Sequence, residues 1–106
     1  MISSEKAFRF LRDWKTRKTP LWLFVPDLDA LHGPDVRVED VSEEPLGVVF
    51  IFSGSSEVEA LDLTGATFDK ATPEEAPFPD SVTRRFSFFL HISLSDERKF
   101  VVAEYL

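Results

Sequence analysis

Apolar positions recur at helical spacing near the start of the chain, then switch to alternation and short continuous runs. Ala7, Phe10, Leu11 and Trp14 fall on one stripe, widened by Phe8, with Arg9, Arg12 and Asp13 opposite. Residues 4–17 therefore predict an amphipathic helix. Ser3 or Ser4 can cap it, although Ser3-x-x-Lys6 lacks the acidic residue of a capping box. Arg17 and Lys18 suit the dipole of the last turn, and Pro20 stops the helix.

Leu21 to Val25 reads as a buried strand ended by Pro26. Asp27 to Asp35 is punctuated at both ends, with Asp27 as an N-cap and Gly33-Pro34 as a stop, and predicts a single helical turn or a tight loop. Val36 to Val41 reads as an exposed strand, and Glu43-Glu44-Pro45 as a turn. Leu46 to Phe52 is apolar on both faces, which implies cover on both sides of a sheet. Ser53 to Ser56 is a turn. Glu57 to Leu63 fits a strand with a phase slip, or a helix with a Ser56-x-x-Glu59 capping box and Gly65 behind it. The strand is preferred because it needs the shorter connection. Residues 70–81, with three prolines, read as a loop. Phe86, Phe88, Leu90, Ile92 and Leu94 alternate with polar residues and Phe89, which makes a long half-buried strand. Asp96 to Lys99 is a hairpin loop, and Phe100 to Tyr105 the return strand.

These elements specify one α+β domain over residues 1–106: an N-terminal helix packed on a five- or six-stranded, mainly antiparallel sheet. Alternation alone leaves a partly closed barrel open. The expected core is Phe10, Leu11, Trp14, Phe50, Phe52, Phe88, Leu90 and Ile92.

Charge changes this picture. The net charge is −7, but residues 1–19 carry six cations and two carboxylates, while the rest carries six and seventeen. A basic helix precedes an acidic body. The plain expectation is that the two complement each other within the chain. The alternatives are a basic arm for an acidic partner, or an acidic face for a basic one. An acidic body repels phosphates, so nucleic acid is not an expected partner. The absence of cysteine excludes disulfides, thiolate metal sites and a cysteine nucleophile, and favours a cytoplasmic setting. No signal-like apolar segment opens the chain, and Leu46–Phe52 is far too short to span a membrane.

Candidate chemistry is sparse. Asp27, Asp29, His32 and Asp35 form the one carboxylate–histidine cluster, but their spacing matches no recognised ligand pattern, and capping accounts for them. Ser53-Gly54-Ser55-Ser56 lacks the lysine and second glycine of a phosphate loop. His91, with Ser93 on the same face, lacks an orienting acid or an oxyanion hole. Pairing Ser95 with Phe100 would set Glu104 across from His91 as a charge pair. Arg84-Arg85 is too short for a nucleic-acid patch. No catalytic residue, metal or cofactor is expected.

The chain therefore reads as a small acidic interaction protein that binds a basic protein partner. The alternative is a small-molecule binder or enzyme with a cavity lined by phenylalanine and tryptophan, and His91, Asp27, Asp29 or His32 at its mouth. Val49, Ile51 and Phe89 point away from the expected core and would form an apolar patch, which predicts a homodimer through the sheet. In the competing arrangement the 64–81 segment folds over that face, anchored by Phe68 and Phe78.

Overall fold

The computed structural model describes residues 1–25, 30–53, 57–76 and 78–106. Helix α1, Ser4–Arg17, begins at Ser3, whose Oγ accepts the Lys6 amide at 3.1 Å. It ends at Lys18, which is left-handed (φ 53°) and donates its N–H back to Trp14 and Lys15 carbonyls. The strands are β1 Leu21–Val25, β2 Ala30–Glu43, β3 Leu46–Phe52, β4 Val58–Asp62, β5 Thr67–Ala71, β6 Phe86–Ser93 and β7 Lys99–Tyr105, with the short helix α2, Asp80–Thr83, before β6.

The described strands form one open seven-stranded sheet in the order β4-β3-β2-β1-β7-β6-β5, with every neighbouring pair antiparallel. The class is α+β, as expected, but the strand count exceeds five or six. The added strand is β5, where Phe68 is the one large apolar residue and gives no alternation to read. Residues 30–35, expected in a helical turn or loop, instead begin β2. There the chain carries Gly33 and Pro34 through two register shifts against β1, and Asp35 takes a left-handed φ of 64°. Glycine and proline are tolerated in a strand at such irregularities.

Helix α1 covers one face. Its Ala7, Phe8, Leu11 and Trp14 pack with Val36, Val38, Val48, Phe50, Leu61, Leu63, Phe68, Leu90, Ile92 and Val102. Phe10, Phe52 and Phe88, expected in the core, are half-buried at its margin. The Phe10 and Phe88 rings lie 5.1 Å apart, and Lys70 Nζ sits 4.9 Å from the Phe88 ring centre.

The opposite face holds a second cluster of Phe24, Phe86, Phe89, Val101 and Ala103. The segment after β5 covers it: Phe78 stacks on Phe24 at 4.9 Å and meets Phe89 at 5.3 Å. The fold-back of that segment is therefore realised through Phe78, whereas Phe68 faces α1 and touches Phe8. Phe86 was expected beside Phe88 and Leu90. A register shift between Phe86 and Phe88 turns it to the second face.

Candidate functional site

Arg12, Lys15 and Arg17 of α1 are paired within the chain. Arg12 pairs with Glu43, and Lys15 Nζ lies 3.2 Å from Asp40 Oδ1, so the helix is tied to β2 by charge as well as by apolar packing. Arg17 meets Asp13 at 2.6 Å and Glu104 at 3.8 Å. The complementarity expected between basic helix and acidic body is thus within the molecule. These exposed pairs are individually weak, but they occupy cations that a basic arm would need.

Acidic surface remains at the β4 end of the sheet. Residues 38–62 contain Glu39, Asp40, Glu43, Glu44, Glu57, Glu59 and Asp62 and no lysine, arginine or histidine. Asp40 and Glu43 pair with α1, and Arg37, opposite Ile51 in the β2–β3 ladder, lies 3.7 Å from Asp35. On the face away from α1, β3 presents Val49 and Ile51, both half-buried, next to Ala60 and Val58 of β4. Val58 is 54% exposed. A groove of about 390 Å³ runs past Ser42, Pro45, Gly47, Val49, Ala60 and Asp62. The Asp62 carboxyl is held below its ordinary range because its Oδ1 accepts the Thr64 amide at 3.0 Å, which favours the charged form. The local combination is a small apolar strip with carboxylates around it.

His91 lies on the second face beside Phe78, Ser93, Lys99 and Val101, in a pocket of about 220 Å³. Burial pushes its pKa down, and Asp69 across the β5–β6 pair opposes that shift. Glu104 is not its partner. The β6–β7 hairpin closes with the Leu94 N–H donating to Arg98 O at 2.8 Å, which sets His91 against Val101 and Phe88 against Glu104. This register differs by three residues from the expected one, an odd number, so Glu104 moves to the α1 face. There it accepts from the Trp14 indole and from Ser87 Oγ at 3.2 Å. The sequence signal for this network was faint: a lone glutamate in an apolar return strand.

The remaining expected positions are scattered. Asp27 and Asp29 lie outside the described residues. His32 is within β2, and its side chain is outside the description. Among the described residues, no group of three or more histidine, cysteine or acidic side chains could hold a metal. Phe89, expected at a surface with Val49 and Ile51, is fully buried under Phe78 and Phe86. Among the described residues, no helix is long and apolar enough to cross a membrane.

Compared with known protein families, curated proteins and solved structures, the chain matches none. Its geometry is therefore the ground for a functional reading. Trp22 extends the second aromatic cluster by stacking on Phe24 at 5.4 Å, and its buried Nε1 has no hydrogen-bond partner among the described residues. A cleft of about 770 Å³ opens nearby along Asp80, Thr83, Arg84, Phe86 and Ser87, but Trp22 does not line it.

Proposed function

We propose that this protein is a non-catalytic interaction module whose acidic β2–β4 surface binds a basic protein partner. The observation that carries this reading is the division of charge. Arg12, Lys15 and Arg17 are taken up by Glu43, Asp40, Asp13 and Glu104. Asp62 shares the face of a partly apolar strip, Glu59 stands on the other side of the same strand, and Arg37, across from Ile51, is paired with Asp35. Such an arrangement steers an oppositely charged surface and gives it an apolar contact once it arrives.

A second copy of the chain is the weaker occupant. The expected dimer patch loses Phe89 to the interior, and two copies would each bring a charge of −7. The small-molecule alternative is also weaker, because the aromatic cluster that would line its cavity is filled by its own rings, with Phe24, Phe78, Phe86 and Tyr105 at ordinary stacking distances. The test is affinity capture from the native host followed by mass spectrometry, with the chain and its Glu39→Lys/Glu59→Lys/Asp62→Lys variant compared side by side. Basic proteins retained by the first and lost by the second support the reading. An identical captured set from both removes it.

A further inference from the structure

We propose that the basic partner docks by adding an extended segment of its own chain antiparallel to β4, with apolar and cationic residues alternating along it. This rests on the acidic-surface reading and specifies how that surface is used.

The argument begins with the direction of the backbone groups. Among the described residues, β4 is the last strand of the sheet. Glu57 O accepts from the Phe52 N–H at 3.2 Å, and the Leu63 N–H donates to Leu46 O at 2.9 Å. In an antiparallel pair the residues that bond inward alternate with those that face out. Glu59 and Leu61 therefore bond to β3, and Val58, Ala60 and Asp62 turn their N–H and C=O groups away from the sheet. The other end of the sheet is treated differently: Ile2 bridges to β5, its N–H donating to Phe68 O at 3.0 Å. An unpaired edge is a template for strand addition.

Side chains then define what the edge selects. On one side of the β4 ribbon stand Val58 and Ala60, continuous with Val49 and Ile51. On the other stands Glu59, and Asp62 closes the end of the strand. A residue placed opposite Ala60 shares its face and needs an apolar side chain. Its two neighbours in the added strand turn to the other side, where the one opposite Glu59 favours lysine or arginine. A second copy would bring a further net charge of −7 to an edge that already carries Glu59 and Asp62, so charge favours a cationic segment over self-pairing.

The test uses the full chain and a blocked peptide of about nine residues alternating lysine and valine, long enough to cover the edge. Titration calorimetry should show one-to-one binding, with amide exchange slowed at Val58, Ala60 and Asp62 and little changed at Glu59 and Leu61. In the proposed register the valine amides bond to β4 and the lysine amides face solvent. N-methylation of the valines should therefore weaken binding about tenfold or more, and N-methylation of the lysines should not. Ala60→Pro should weaken it similarly, since the Ala60 N–H plays no part in the β3 ladder and an edge tolerates proline. Equal effects of the two methylations, or no binding at all, overturn strand addition. If Glu59→Lys still abolishes binding while both methylated peptides bind alike, strand addition fails and the acidic-surface reading stands. If the peptide binds and charge reversal leaves that binding intact, the acidic-surface reading fails as well.

Discussion

Trp14 and Glu104, 90 residues apart in the chain, meet where the end of α1 crosses β7, and the indole N–H donates to the carboxylate. Ser87 Oγ and Arg17 converge on the same carboxylate from β6 and α1. One acidic side chain thus joins the helix to two strands at the margin of the core.

Glu104→Ala leaves the Trp14 indole without its acceptor and the Ser87 hydroxyl with only the Glu104 backbone carbonyl at 3.3 Å, and should destabilise the protein by about 1–3 kcal/mol. Glu104→Gln keeps an acceptor oxygen and should cost less. Ser87→Ala, harmless if Ser87 merely faced solvent, should cost about 1 kcal/mol because Ser87 is bonded to Glu104. Urea denaturation of the three variants checks the order; equal stability of Glu104→Ala and the parent would remove the network from any account of stability.

Phe78 holds the segment between β5 and β6 on the second face through Phe24 and Phe89. Phe78→Ala should cost about 1–3 kcal/mol, less than the about 3–5 kcal/mol of a fully buried phenylalanine such as Phe89. Loss of that anchor should also release the segment, so limited proteolysis should cut near residues 72–76 in the variant well before the parent. Unchanged cleavage would mean that α2 and the turn from Thr72, whose N–H and Oγ both donate to Glu75, hold the segment unaided.

Elements whose signal was local were legible in the sequence. The 3.6-residue stripe located α1 at 4–17, and the apolar runs located β1 and β3 at their observed bounds. The preference for a strand over a helix at 57–63 also agrees with β4. Features set by partners were not legible. β5 is a strand because Phe68 and its neighbours pair with Ile92 and Leu90, whereas its own sequence has no alternation. Gly33-Pro34 reads as a stop, yet pairing with β1 draws it into β2. A bulge of one residue moved Phe86 across the sheet, and the Leu94–Arg98 closure moved Glu104 away from His91. The candidate site followed the same rule. Val49 and Ile51 were identified on the right face from periodicity, but the role of Val58, Ala60 and Asp62 depends on which strand ends the sheet, and that is a matter of topology.

The environment of His91 makes stability depend on pH in one direction. Burial lowers its folded pKa below the ordinary 6.5, with Asp69 opposing. Well above pH 6.5 the imidazole is neutral in both states and the full stability is present. As pH falls, the unfolded chain takes up the proton first, so stability declines until pH has passed through the folded pKa. His91→Gln cannot titrate, and its stability should fall less than the parent's between about pH 7.5 and pH 5.5. Matched urea curves at the two values decide this; parallel losses in both proteins would mean that carboxylates alone set the slope.

Oligomeric state follows from what covers the second face. Phe78, Val82, Ala76 and Tyr105 of the same chain pack over Phe24, Phe86 and Phe89, so the largest apolar part of that face needs no second copy. What remains is the strip of Val49, Ile51, Val58 and Ala60, two of them half-buried already and sharing their face of β4 with Asp62. Joining two such strips brings like charges together for little apolar gain, and low salt strengthens the repulsion. Sedimentation equilibrium at tens of micromolar, about the range where weak dimers show, should give the 12.1 kDa of one chain. A doubled mass that Ile51→Lys returns to the single value would place the interface on this strip and make a second copy, rather than a basic partner, its occupant.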